Sequence, residues 1–322
     1  ITGGVGAIHE DEKFGPDYFL PTDAYLETCA AVGAGFFSQR MNQLTCNARY
    51  MDEVERVLYN NVLTGVSLSG DKYTYQNPLN TDKPDRWEWH VCPCCPPMFL
   101  KIMAAMPGYI YAYQGDNVYV NLFIGSEVRI PVGDNSVRLK QLTSYPWHGA
   151  VSIQVNPDKA STFSMKVRIP GWAQGTENPY DLYQSNLKAP VKLKVNQEDV
   201  LLRIVDGYAE INREWKKGDH IELELPMQPR LITANKAVEN LRGQVALASG
   251  PIIYCFEDAD NPELQTFKLQ AQTPLELSHD SNLLNGVNII KCQGDIPAKA
   301  IPYYAVANRE ESHSYKVWIP QK

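Results

Sequence analysis

The chain has 322 residues, 44% of them hydrophobic, and this size and composition predict two or three globular domains, each large enough to bury its own core. Its net charge is −7, so it offers no basic surface that could neutralise phosphate groups. Nucleic acids and anionic membranes are therefore excluded as expected partners, whereas a neutral glycan needs no such charge.

Apolar runs are short throughout the chain. The longest, residues 245–256, is interrupted by Gly250 and Pro251, and it is shorter than the run of about 18 apolar residues that a membrane-spanning helix needs. We therefore expect a soluble protein. The chain begins at Ile1 without a basic and then apolar leader, so no targeting signal is visible.

Three segments in the first third have apolar residues at helical spacing. The spacing predicts helices over residues 24–45, 48–63 and 98–106. Thr22-Asp23 can cap the first of these helices, and Pro96-Pro97 fits the first turn of the third.

After residue 108 the pattern changes to short alternating segments separated by Gly, Asn, Asp and Pro. Such a pattern is typical of an antiparallel β-sandwich. Pro226 and Pro229 indicate a boundary, after which a second, smaller β domain is predicted. The predicted strands are residues 109–113, 118–123, 128–131, 137–142, 150–155, 163–169, 191–195, 200–205, 208–211, 220–225, 245–248, 252–256 and 315–319.

Four of the seven cysteines lie in two tight clusters, Cys29 beside Glu27 and the run Cys92-Pro93-Cys94-Cys95. Adjacent Cys94 and Cys95 cannot bridge each other without strain, and the clustering argues against a disulfide framework. One carboxylate and three thiolates, from Glu27, Cys29, Cys94 and Cys95, would form a tetrahedral zinc site. Cys92 lies close enough to compete for the metal. The other three, Cys46, Cys255 and Cys292, are predicted to be buried free thiols.

A set of short motifs extends along the chain. They are Ile1-Thr2-Gly3-Gly4, His9 followed by Glu12 and Phe14, Glu27-Thr28-Cys29, Glu55-Arg56 with Leu58-Tyr59-Asn60, Asn77-Pro78-Leu79, Cys94-Cys95-Pro96-Pro97, Arg168-Ile169-Pro170-Gly171-Trp172-Ala173, and Gly250-Pro251 before Ile253-Tyr254. In order and spacing these motifs resemble glycoside hydrolase family 127, the β-L-arabinofuranosidase family. The first hundred residues carry the more specific part of the resemblance.

The resemblance implies a multidomain α plus β architecture. Residues 1–108 would be the C-terminal part of an (α/α)6-barrel catalytic domain, 109–227 a β-sandwich domain, and 228–322 a second, smaller β-sandwich domain. The family has a long helical region before the Ile-Thr-Gly-Gly stretch, so the chain resembles the C-terminal half of a longer enzyme.

The resemblance also implies roles for individual residues. Cys94 would be the nucleophile and Glu12 the acid/base of a retaining reaction, with Zn²⁺ bound by Glu27, Cys29, Cys94 and Cys95. Glu10 and Asp11 lie beside Glu12, and such crowding of carboxylates favours the protonated form that a general acid needs. Substrate contacts are implied for Glu55 and Tyr75, and His9 would orient Glu12 or contact the substrate.

The expected reaction is release of β-L-arabinofuranose from the non-reducing end of plant-derived glycans, in a bacterium. Asp11 and Met98 stand where the family usually has Gly and Asn, which leaves open a related furanose, such as an acidic, branched pectin sugar. Two alternatives come from other classes: a non-catalytic glycan-binding protein with a structural zinc, and a metal-free thiol hydrolase that uses Cys94 with His90. For His90 itself we favour a structural or supporting role. We expect a periplasmic or cytoplasmic protein, with the periplasm preferred, and a homodimer as one oligomeric state.

Overall fold

The computed structural model describes residues 1–89, 91–92, 94–294 and 296–322. Within them the α-helices are α1 (Thr28–Thr45), α2 (Arg49–Arg56) and α3 (Cys95–Ala105), and α2 continues as a π-helix over Val57–Val62. The three predicted helices are thus confirmed, with shifted ends. No helix in the described part of the chain is both long and apolar enough to cross a membrane.

Helix α1 begins four residues later than the spacing predicts, because the backbone before it pairs with other segments. The Leu26 N–H donates to the Gly6 carbonyl, and the Asn77 N–H donates to the Tyr25 carbonyl. Leu26 also has a left-handed backbone, with φ of 45°, which a helix cannot continue through. Thr22 and Asp23 therefore lie outside the helix, and the prediction that they cap it is wrong.

The helices pack around a small apolar core. Val32 of α1, Val54 of α2 and Ile102 of α3 are fully buried in it. Gly35 permits close approach of α1 to α3, since a Cβ atom at this position would lie 3.2 Å from the Ile102 side chain. This core fixes the start of α1 relative to the start of α3, where the predicted metal ligands lie.

Within the described residues, three short strands lie between the π-helix and α3, and twelve more lie between residues 111 and 224. The first group is β1 (Lys72–Tyr73), β2 (Asn80–Thr81) and β3 (Trp87–Glu88). The second is β4 (Tyr111–Gln114), β5 (Asn117–Val120), β6 (Ser126–Val132), β7 (Asn135–Thr143), β8 (Ala150–Pro157), β9 (Ser161–Arg168), β10 (Tyr183–Ser185), β11 (Lys192–Val195), β12 (Glu198–Asp199), β13 (Ile204–Val205), β14 (Tyr208–Trp215) and β15 (Asp219–Glu224).

Two sheets share one hydrophobic core in the middle region. Across the described residues their strand orders are β12-β11-β15-β8-β7-β6 and β13-β14-β9-β5-β4. Strand β7 shows the alternation that the sequence predicts, with Val137 and Leu139 buried and Arg138 and Lys140 exposed. The pairing is antiparallel except between β5 and β9, which run parallel.

The strands of the last region are β16 (Arg230–Ala234), β17 (Gln244–Ser249), β18 (Ile252–Glu257), β19 (Leu275–Asp280), β20 (Val287–Cys292), β21 (Ala298–Pro302), β22 (Tyr315–Lys316) and β23 (Ile319–Pro320). In the described part of the chain they form one ten-stranded sheet with β2 and β10, where the sequence predicts a smaller two-layer sandwich. Both faces are covered: Ala246 and Ala248 of β17 pack into one apolar cluster, and Val245 and Leu247 pack into another.

Candidate active site

The four predicted metal ligands lie at the starts of two helices. Glu27 precedes α1 and Cys29 lies in its first turn, while Cys94 precedes α3 and Cys95 begins it. The ligand atoms of all four residues lie within 4.8 Å of one another. The packing of α1 against α3 therefore brings together two clusters that are far apart in the sequence.

The spacing of these atoms suits a tetrahedral ion. Zinc with bonds of about 2.3 Å to sulfur places its ligand atoms about 3.8 Å apart. The Sγ atoms of Cys29 and Cys95 are 3.4 Å apart, those of Cys94 and Cys95 are 3.7 Å apart, and the Glu27 Oε1 atom lies 4.0 Å from the Cys94 sulfur and 3.9 Å from the Cys95 sulfur. Three soft sulfurs and one oxygen are also a donor set that zinc prefers.

The electrostatics of the cluster also favour a cation. Burial raises the pKa of Cys29 to about 12 and raises the pKa of Cys95 above its usual range. Burial likewise raises the pKa of the Glu27 carboxyl. Without a positive charge the Cys29 and Cys95 thiols would hold their protons, and a bound cation would instead stabilise their deprotonated forms.

Cys92 lies directly beside the cluster, with its Sγ atom 3.2 Å from that of Cys94. Hydrogen bonding to the Cys94 backbone lowers the pKa of Cys92. All seven cysteines are free, and Cys255 and Cys292 are fully buried as predicted. Cys46 is only partly buried, because it ends α1 in a left-handed conformation near the surface, so that part of the prediction is wrong.

Glu12 is held by two tyrosines. The Tyr25 hydroxyl donates a hydrogen bond to Glu12 Oε1 at 2.7 Å, and the Tyr75 hydroxyl donates to the same oxygen at 3.2 Å. Glu12 itself is exposed on a short 3₁₀ turn, and both Asp11 and Glu12 have φ of 53°. That left-handed backbone strains a non-glycine residue, so a glycine at position 11, which the family resemblance leads us to expect, would relieve the strain.

His9 and Tyr75 line a cavity of about 260 Å³. The Tyr75 ring stacks on Trp87, with ring centres 5.2 Å apart, and its flat face is of the kind on which sugars pack. His9 Nε2 lies 2.8 Å from the Asp23 carbonyl oxygen, and the His9 ring meets Tyr25 edge to face. The structure thus brings His9, Tyr75 and Glu12 together, while His90 lies outside the described residues.

Glu55 lies in a different environment. It is 1% exposed, and its carboxylate accepts hydrogen bonds from Arg168, from the Tyr145 hydroxyl at 2.8 Å and from Trp172 Nε1 at 3.3 Å. Arg168 also donates to Asp52 at 2.6 Å. In the structure Glu55 therefore takes part in a buried ion pair that joins α2 to the motif that begins at Arg168, and its contact with substrate stays a prediction.

Tyr25 is the residue of this site that the sequence analysis missed. It is 3% exposed and lies thirteen residues from the carboxylate that it contacts. It stands in the irregular segment before α1, which the spacing had placed inside a helix, so no periodic pattern indicates where its hydroxyl points. Its position two residues before Glu27 was the only available signal.

Three family models match successive parts of this chain. "Beta-L-arabinofuranosidase, GH127 catalytic domain" matches residues 1–108, "Beta-L-arabinofuranosidase, GH127 middle domain" matches 117–227, and "Glycoside hydrolase family 127 C-terminal domain" matches 229–320. This chain belongs to glycoside hydrolase family 127. The resemblance of its motifs to that family is thereby confirmed.

Relatives within family 127 include characterised and solved enzymes. The non-reducing end beta-L-arabinofuranosidase of Bifidobacterium longum is 31% identical over 96% of this chain and 51% of its own length. A solved family 127 beta-arabinofuranosidase has a TM-score of 0.93 and 36% identity, covering all of this chain and 53% of that one. The beta-L-arabinofuranosidase of Geobacillus stearothermophilus has a TM-score of 0.91 and 35% identity, covering all of this chain and 54% of that one. The chain spans about half the length of these relatives.

Proposed function

We propose that this chain carries the zinc-thiolate site of a retaining exo-glycoside hydrolase that releases non-reducing-end β-L-arabinofuranose from plant-derived glycans. The observation that carries the proposal is the cluster of Glu27, Cys29, Cys94 and Cys95, with all ligand atoms within 4.8 Å. Family membership and the named activity of the relatives support the substrate class. The proposed architecture is the last part of an (α/α)6 barrel followed by two β domains.

The ligand set fits zinc by donor chemistry and by spacing, as described above. When bound, the ion would keep the thiols deprotonated and would stabilise sulfur as it departs. Cys94 is the thiol proposed as nucleophile. It lies at the N-terminal end of α3, next to the other three proposed ligands.

The proposed reaction has two displacements at the anomeric carbon. In the first, the Cys94 sulfur forms a bond to that carbon while the glycosidic C–O bond breaks, and Glu12 gives its proton to the leaving oxygen. In the second, Glu12 takes a proton from water, the water oxygen bonds to the anomeric carbon, and the C–S bond breaks. Two inversions give net retention.

A covalent label tests the nucleophile. A β-L-arabinofuranose-configured electrophile, incubated with the zinc-loaded protein that carries this chain, should add its sugar mass to the peptide that contains Cys94. Cys94→Ser should remove the label, whereas Cys46→Ser, a matched change at a partly buried thiol outside the cluster, should retain it.

The same experiment separates the alternatives. A label on Glu12 with hydrolysis intact would defeat the cysteine mechanism. Zinc binding without any adduct or hydrolysis would favour a structural zinc in a glycan-binding protein. A metal-free protein that is trapped by acyl donors would favour a thiol hydrolase.

A further inference from the structure

Two phenolic hydroxyls converge on one oxygen of the proposed acid/base. Tyr25 donates to Glu12 Oε1 at 2.7 Å and Tyr75 donates to the same atom at 3.2 Å. Among the described residues, no hydrogen-bond donor contacts Glu12 Oε2. The carboxyl group therefore has one oxygen that is engaged by the protein and one that is available to a ligand.

This asymmetry decides where the acid proton can lie. A tyrosine hydroxyl has a pKa near 10 in water, so both phenols are protonated at neutral pH and both act as donors. An oxygen that already accepts two O–H donors is a poor position for a third hydrogen. The proton of the neutral carboxyl therefore resides on Oε2.

Tyr25 is the more strongly fixed of the two donors. Its side chain is 3% exposed, and its ring packs edge to face against His9 at 5.7 Å and Tyr75 at 6.0 Å. The backbone at Tyr25 and just after it is anchored as well. The Tyr25 carbonyl accepts a hydrogen bond from the Asn77 N–H, and the Leu26 N–H donates to the Gly6 carbonyl. Glu12, by contrast, is exposed on a strained turn, so the orientation of its side chain depends on the two tyrosine hydroxyls, of which Tyr25 makes the shorter bond.

We propose that Tyr25 is a positioning residue that, with Tyr75, reserves Oε1 of Glu12 as an acceptor and presents the proton on Oε2 to the leaving glycosidic oxygen. This inference rests on the proposed acid/base role of Glu12. It assigns to Tyr25 a part in proton transfer without contact between Tyr25 and the substrate.

The test is Tyr25→Phe, which removes the hydroxyl and keeps the ring contacts. For a glycan substrate with a poor leaving group, kcat should fall about tenfold to a hundredfold, the loss expected for one hydrogen bond to a charged group, with KM within about twofold. For an activated aryl glycoside, which needs little proton donation, kcat should fall less than about threefold. Tyr75→Phe should give the same pattern with a smaller loss, because its bond is longer and Tyr25 remains.

Tyr208→Phe is the matched control. The Tyr208 hydroxyl is buried in the middle region and donates to Asn121 Oδ1 at 2.7 Å, so its loss reports on structure alone and should affect both substrates equally. In a Glu12→Gln background, Tyr25→Phe should cause no further loss. If Glu12→Gln shows the leaving-group dependence but Tyr25→Phe lowers both substrates equally, the positioning role is refuted while the proposed function stands. If Glu12→Gln itself affects both substrates equally, the acid/base assignment fails first.

Discussion

Replacing Glu55 by glutamine tests whether this residue stabilises the fold or contacts a sugar. Arg168, Tyr145 and Trp172 all donate to the Glu55 carboxylate, and Arg168 and Glu55 are 0% and 1% exposed. A glutamine side chain has the same shape as glutamate. It supplies only one acceptor oxygen, however, and it places an NH₂ group opposite the donors. Breaking one partner of such a buried pair costs about 3–5 kcal/mol.

The magnitude can be expressed as a change in melting temperature. Unfolding entropy is about 2.1 cal/mol/K per residue, or about 0.7 kcal/mol/K for a chain of this length that unfolds as one unit, so Glu55→Gln should lower Tm by about 4–7 °C. The matched control is Glu210→Gln, which breaks the more exposed pair with Lys166 and should cost less than about 1 kcal/mol. Differential scanning calorimetry measures both variants.

Activity measured at a temperature far below Tm completes the test. With Glu55 in a structural ion pair, kcat/KM of Glu55→Gln should stay within about twofold of the wild-type value. An unchanged Tm together with a large rise in KM would refute this reasoning and restore the sugar contact that the sequence indicated.

Cys95→Ser should lower the zinc content well below one ion per chain, whereas Cys92→Ser should retain it, and full retention in Cys95→Ser, measured by elemental analysis, would remove Cys95 from the ligand set. Burial raises the pKa of Asp52 to about 6, so the native state holds this proton more tightly than the unfolded chain, and the resulting stability is present below about pH 4 and lost as the pH rises through 6. Urea unfolding at pH 4 and pH 7 should therefore show that the free energy of unfolding falls less between these two pH values in Asp52→Asn than in wild type. Equal losses of stability would contradict the raised pKa of Asp52. Gly207→Ala should cost about 1–3 kcal/mol in the same urea assay, because φ is +80° and the added Cβ would lie 2.6 Å from that of Ala48; an unchanged midpoint would show that the turn can relax.

The cluster of Glu27 and three cysteines was predictable because the relevant residues are close in sequence within each half. Cys94 and Cys95 are adjacent, Glu27 and Cys29 are two residues apart, and thiols placed so closely without a disulfide geometry indicate a soft metal. The packing of α1 against α3 brings these two clusters together, and the apolar spacing of either helix alone does not show that contact.

The role of Glu55 was not predictable in the same way. Its partner Arg168 lies 113 residues further along the chain, and nothing in the helical pattern of α2 shows that this position is buried. Tyr25 was missed for a related reason, since its hydrogen bond to Glu12 depends on an irregular backbone. Contacts between distant irregular segments produce no periodic pattern in the sequence.

Strand prediction succeeded for the regularly alternating strands of the middle region, but burial alone does not explain the strands that were missed. Strands β17 and β18 are almost wholly buried and were predicted, whereas β19 is partly exposed and was missed. The alternating strands β7 and β8 were identified close to their observed ends, whereas β20, with five of six residues buried, was missed. Strands β16 and β21 were also missed. Strands β2 and β10 join the last sheet through hydrogen bonds to residues that are distant in sequence. The sequence of either strand alone therefore does not predict this pairing.

The position of β2 in the ten-stranded sheet limits how freely the parts of this protein can be exchanged. Asn80 of β2 pairs with Lys316 of β22, and its side chain donates to the Trp318 carbonyl at 2.9 Å. The segment that carries Tyr75 thus ends in a strand supported by the opposite end of the sequence. Replacing the last domain with an unrelated β module would remove this support. The three regions should therefore be inherited as a unit. Chimaeras should retain activity only when β2 and β22 come from the same parent.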